Sequence, residues 1–143
     1  MNETRITRTV DLDATLDQVW RAMTEPRLLG DWLDSDVELE VCPGGEGIIV
    51  EPDGAVRRAC VDEVEPARRL ALRWWPEDGG GPESKVEFDL QQTPDGTRVV
   101  VTETLIVAAP GSATASAATA DGRWAERFLL LGCCLLRVPV ACR

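Results

Sequence analysis

The sequence predicts an α+β domain: a curved, seven-stranded antiparallel sheet wrapped around one long C-terminal helix, with two short helices after the first strand. Three observations carry this. The hydrophobic period runs strand, helix, helix, six strands, then a long helix. The 143 residues suit one domain, 1–143, around one core. The last apolar segment, "RWAERFLLLGCCLLRV", is apolar on more than one face, so it needs cover on more than one face.

In chain order, "TRITRTVDL" alternates as a strand with Ile6 and Val10 on one face. In "TLDQVWRAMTEP", Thr15 and Gln18 fit a capping box, and Leu16, Val19, Trp20 and Met23 form an apolar stripe that Pro26 ends. "PRLLGDWL" begins a second helix with proline in its first turn and offers Leu29, Trp32 and Leu33 for burial. The period then changes to two. "DVELEV" sets Val37, Leu39 and Val41 against acids, and "CPGGEG" is a turn. No helix follows Gly44 and Gly45, which makes them a strand turn and not a phosphate loop. "GIIVEP" and "AVRRACVDEV" make a hairpin around Asp53-Gly54. "RLALRWW" places Leu70, Leu72 and Trp74 on one face and Trp75 on the other, at a rim or partner surface. After the loop "PEDGGGP", "KVEFDLQQ" sets Val86, Phe88 and Leu90 opposite Glu87 and Asp89. "PDG" turns the chain into the strand "TRVVVTETLIV". "AAPGSATASAATADG" reads as a loop. In the last helix Trp124, Phe128, Leu131 and Leu135 share a face, Leu129, Leu130 and Cys133 widen it, and Pro139 limits it. A sheet of this size has one face to bury, and two short helices do not cover it, so the terminal helix must.

Composition excludes several functions. A net charge of −10 repels a phosphate backbone or an anionic membrane surface, so neither nucleic acid nor membrane is an expected partner. The run from Phe128 to Leu136 is far short of the ~20 residues of a membrane span. "MNETRITRTV" has no apolar signal segment, and a cytoplasmic location follows as the expectation. With no histidine and no tyrosine, acid–base chemistry is left to carboxylates, thiols, arginines and the single lysine, Lys85, and no catalytic residue is assigned. Cys42, Cys60, Cys133, Cys134 and Cys142 are odd in number and contain no CxxC. They are expected to be reduced, buried and structural, with no metal and no cofactor; a Cys133–Cys134 thiol pair for a soft metal or arsenical is the alternative.

"VWRAMTEPRLLGDWL", "CPGGEG", "VDEVEPARRLALRWW" and "GTRVVVTETL", in this order and followed by Trp124, resemble the START-like (SRPBCC) superfamily over roughly residues 4 to 136. Within it the sequence is most similar to the bacterial branch homologous to the activator of heat-shock protein 90 ATPase. The resemblance implies a helix-grip fold with a cavity between sheet and C-terminal helix. It also implies a small apolar ligand, with a carrier or sensor role. A cyclase- or hydrolase-like enzyme and a co-chaperone-like interaction protein are the alternatives. The stretch after Phe128 departs from the family pattern in being more apolar and richer in cysteine.

The expected ligand-binding residues are Trp20, Trp32, Trp74, Phe88, Val101, Glu103, Trp124, Phe128 and Leu131. For the tryptophans, core packing is the competing role. Glu103 shares strand parity with Val99, Val101 and Leu105, so it points inward if they do. Arg58 or Arg73 is then its expected partner, and a rim ion pair is the competing reading. The excess apolar surface of the last helix calls for a ligand or for a second copy of the chain in a homodimer.

Overall fold

A computed structural model describes residues 2–79, 83–107, 123–133 and 135. Strand β1 (Asn2–Leu12) is followed by helices α1 (Leu16–Thr24) and α2 (Pro26–Leu33). Strands β2 (Asp36–Leu39), β3 (Glu46–Val50), β4 (Val56–Glu65), β5 (Arg69–Pro76), β6 (Glu83–Thr93) and β7 (Gly96–Val107) come next. Residues 123–133 and 135 are helical and are called α3. The order matches the sequence expectation, element by element. The predicted loop 108–122, Pro139, Cys134 and Cys142 lie outside the described residues.

The start signals work as written. Thr15 accepts from the Gln18 backbone N–H at 3.2 Å, and the Gln18 side chain accepts from the Thr15 N–H at 2.9 Å. Pro26 sits in the first turn of α2, where its missing N–H costs nothing.

All strand pairs are antiparallel, in the order β1-β7-β6-β5-β4-β3-β2. The chain meanders from β2 to β7, and β1 closes the far edge beside β7. The "CPGGEG" turn is structural: the Gly44 N–H donates to the Val61 carbonyl and the Gly45 carbonyl accepts from the Val61 N–H. A Cβ on Gly45 would lie 2.0 Å from the Glu40 carbonyl oxygen, so only glycine closes this turn. Asp62 is an unpaired extra residue between Val61 and Glu63, a bulge that bends β4.

Alternation sorts the two sheet faces. Ala59, Val61, Leu70, Leu72, Trp74, Val86, Phe88, Val99 and Val101 are buried under the helices. The outer face carries ion pairs: Arg69 of β5 reaches Glu63, Glu87 and Asp89, and these bonds hold its pKa above the ordinary arginine value. α3 lays Trp124, Phe128, Leu131 and Leu135 onto the inner face. This is the helix-grip arrangement.

Two expectations about α3 and the cysteines are corrected. Leu129 is 73% exposed and Cys133 is exposed, so the excess apolar surface points away from the sheet and not inward. At 3.6 residues per turn they fall opposite the Trp124–Phe128–Leu131 face, which already fills the space over the sheet. Cys42 is likewise exposed, in its turn, and Cys60 is half-buried; the described thiols are not core residues.

Candidate functional site

The site lies where α3 crosses β5, β6 and β7. Trp74 on β5 stands directly between Ala59 on β4 and Ser84 on β6, two small neighbours that leave room for an indole. Glu103 on β7 stands between Ile6 on β1 and Val86 on β6. From the helix, Trp124 descends onto these strands. It stacks on Trp74 at 8° with ring centroids 6.0 Å apart, and meets Phe88 edge-on at 5.5 Å. Trp32 of α2 joins through Phe88 at 6.0 Å and Trp124 at 6.4 Å, while Phe128 closes the group against Trp32 and Trp124.

Seven of the nine predicted residues converge here. Trp32, Trp74, Phe88, Glu103, Trp124 and Phe128 are joined by ring contacts or hydrogen bonds, and Val101, the neighbour of Phe88 across β6 and β7, is fully buried beside them. Leu131 is also fully buried, in the same core, one turn along α3 from Phe128. Trp20 is half-buried, packed against the core from α1, and makes none of the aromatic contacts. Trp75 is half-buried, opposite Arg58 in the register.

Glu103 is the polar centre. It is 4% exposed, so it is not a rim carboxylate. Its partners are not arginines. Oε1 accepts from the Trp124 indole N–H at 2.8 Å, and Oε2 accepts from the Trp74 indole N–H at 3.3 Å. Arg58 and Arg73 adjoin the inward residues Ala59, Leu72 and Trp74, so parity turns both outward. Arg58 pairs with Glu77 at 3.2 Å and Arg73 with Asp62 at 3.1 Å. Trp32, the other buried indole, donates to the Ala22 carbonyl at 2.9 Å. The indoles thus act as donors as well as rings.

The sequence reading missed a set of arginines above this centre. Arg127 of α3 is 8% exposed, with its guanidinium 4.8 Å from the Trp124 ring and 5.4 Å from the Trp74 ring. Arg57 of β4 lies 5.4 Å from the Trp74 ring. Glu51, 9% exposed at the β3–β4 turn, accepts from Arg57 at 3.3 Å and from Arg123 at 2.7 Å, tying the start of α3 to the hairpin. Burial, then the neighbouring Arg123 charge, pushes the Arg127 pKa down to about 10, while Glu103 pulls it up and Arg57 adds to the lowering. One signal for Arg127 was present: it follows Trp124 by three positions and so shares its helical face.

Beneath α3 the rings of Trp32, Trp74, Phe88, Trp124 and Phe128 lie in mutual contact. Three open clefts among the described residues lie elsewhere, at the ends and outer side of the sheet, and none is lined by any of the nine predicted residues. No group of three or more described Cys, Asp or Glu side chains is arranged to hold a metal ion. No helix of the described residues is long and apolar enough to cross a membrane.

Fold and site define a helix-grip domain with a buried carboxylate held by two indoles under a guanidinium. The family model for activator of Hsp90 ATPase homolog 1-like proteins matches residues 13–128, and the chain belongs to that family. Among solved structures, DynU16, described as a protein in the dynemicin biosynthetic locus, is 27% identical with a TM-score of 0.81. The match covers 93% of this chain and 47% of that one, so the chain spans about half of DynU16. A protein from Rhodobacter sphaeroides is also 27% identical, with a TM-score of 0.73 over 94% of this chain and 93% of its own. MLL2253 from Mesorhizobium loti, at 24% identity, shares the fold with a TM-score of 0.83 over 94% and 98% of the two chains. No curated protein matches the chain.

Proposed function

We propose that the protein binds a small apolar molecule between the sheet and α3, as a carrier or sensor. One observation carries the reading: a carboxylate and a guanidinium are buried together in the middle of an aromatic face. Apolar residues of similar volume would pack this space at no loss of stability, because desolvating charged groups is expensive. Binding sites, by contrast, are apolar surfaces with a few converging polar groups that orient a guest. The rings are in mutual contact, so a guest is admitted by a shift of α3 relative to the sheet. The placement of a 27%-identical relative in a biosynthetic locus supports a small-molecule role.

Binding is favoured over catalysis by the state of Glu103. Both of its oxygens hold buried indole N–H groups, a positioning role, and the sequence has no histidine or tyrosine to share a proton transfer. The family's name points to chaperone activation, but function belongs to the site and not to the fold.

The test is direct titration with phenylnaphthylamine, an uncharged apolar fluorophore, together with native mass spectrometry of protein purified from its own host. Saturable micromolar binding of the fluorophore, or a stoichiometric small-molecule adduct, is expected. Absence of both overturns the proposal. Turnover of an ester or polyketide substrate that is lost in Glu103→Gln, with the fold intact, replaces it with the enzyme reading.

A further inference from the structure

We infer that Arg127 is an anion subsite, and that the guest is an aromatic molecule bearing one acidic oxygen group, a carboxylate or its equivalent. The inference rests on the binding reading above and names its ligand class. Arg127 is 8% exposed, yet among the described residues no acceptor takes a hydrogen bond from its guanidinium. The carboxylates whose charge reaches it are Glu103 and Glu51. Glu103 spends its two oxygens on Trp74 and Trp124. Glu51 spends its two on Arg57 and Arg123. Three guanidinium groups therefore meet two carboxylates whose hydrogen bonds go to other donors, and one positive charge is in excess at this spot within a chain whose net charge is −10. A guanidinium offers five N–H donors in a planar fork that fits a carboxylate with two parallel bonds. Stacking on indole rings holds that fork in place without consuming its donors.

A second, independent observation points the same way. The Ser84 hydroxyl is buried and has no hydrogen-bond partner. Ser84 is the cross-strand neighbour of Trp74 on the same inner face. Buried polar groups left unpaired are costly, and a guest oxygen would satisfy this one. The structure thus presents a guanidinium fork and one unpaired buried hydroxyl beside a stacked aromatic surface, which suits an aromatic acid.

Two fluorophores that share one aromatic body separate the claims: phenylnaphthylamine, which is neutral, and anilinonaphthalene sulfonate, which is anionic. The sulfonate should bind at least about tenfold more tightly, as a charge-assisted bond in a dry site requires. The acidic surface of the protein works against this preference, so bulk electrostatics does not produce it. Arg127→Met should bring the sulfonate down to the level of the neutral probe and leave the neutral probe within about twofold. Arg127→Lys, which keeps the charge, should retain most of the preference. Equal affinity of the two probes for the unmodified protein overturns the anion subsite and leaves the binding reading standing. Equal weakening of both probes in Arg127→Met makes Arg127 a packing residue, which also overturns it. Failure of both probes to bind overturns the subsite together with the proposed function.

Discussion

Replacing Glu103 with glutamine keeps the volume of the side chain and removes one acceptor. In the protein each carboxylate oxygen serves a different indole, Trp124 at 2.8 Å and Trp74 at 3.3 Å. The amide has one oxygen, which will stay with Trp124 because that bond is shorter. Its NH2 group then faces the Trp74 N–H, donor against donor. The lost bond to a charged acceptor costs about 1.5–3 kcal/mol, and the stranded buried donor adds about 1 kcal/mol or more. Removing the negative charge that favours Arg127 acts in the same direction. The expected destabilisation is therefore about 3 kcal/mol, which for a domain of this size lowers the thermal midpoint by roughly 9 °C. Calorimetry at neutral pH measures this directly. A double-mutant cycle with Trp124→Phe should give a coupling energy of about 1.5 kcal/mol, since the two residues share one bond. If Glu103→Gln melts within about 0.5 kcal/mol of the unmodified protein, as a neutral surface change would, the carboxylate is not held by both indoles and the reasoning fails.

Other substitutions follow from the same geometry. Leu131→Asp places an unpaired charge at a fully buried position and should cost about 4 kcal/mol or more; a folded variant with an unchanged urea midpoint would mean that α3 does not close the core. Arg127→Met should not lower stability. Burial holds the Arg127 pKa down to about 10, below the ordinary arginine value, so the fold disfavours the charged form, and relief of that cost offsets the loss of about 1 kcal/mol of cation–π contact. By linkage, the Arg127 contribution to stability rises as the pH climbs above about 10, where the unfolded chain holds the proton more tightly; a fall of more than about 1 kcal/mol in the stability of Arg127→Met at neutral pH contradicts this. Leu129→Gln, on the outer face of α3, should change the thermal midpoint by less than about 0.5 kcal/mol in equivalent stability and leave the sedimentation coefficient unaltered. A drop to half the mass would show that a second copy of the chain covers this face.

The fold was legible because each element carries a local physical signal. The Thr15–Gln18 pair marks the start of α1, Pro26 separates two helices, and strict alternation in "KVEFDLQQ" fixes which face of β6 is buried. Parity also placed Glu103 inside. Its partners were not legible, because a tryptophan in an apolar stripe reads as a ring, and nothing local says where its N–H points. Arg58 and Arg73 looked suitable on charge alone, although the parity that turned Glu103 inward turns both of them outward. Arg127 was missed because a lone charge beside an apolar run reads as solvated, yet it shares a helical face with Trp124 and Leu131. The Arg57–Glu51–Arg123 link joins a hairpin to a helix 72 residues away, and such a pairing exists only once the sheet has curved around α3.

The central claim, that a guest binds between the sheet and α3 against Trp74 and Trp124, is tested most directly by nuclear magnetic resonance of the five indole N–H groups. Each gives its own signal, assignable by single Trp→Phe variants. On titration with phenylnaphthylamine, the Trp74 and Trp124 signals should move together and saturate at one equivalent, while that of Trp20, which makes none of the ring contacts with Trp74 or Trp124, stays in place. Saturation of the probe with the Trp74 and Trp124 signals unmoved would contradict the account.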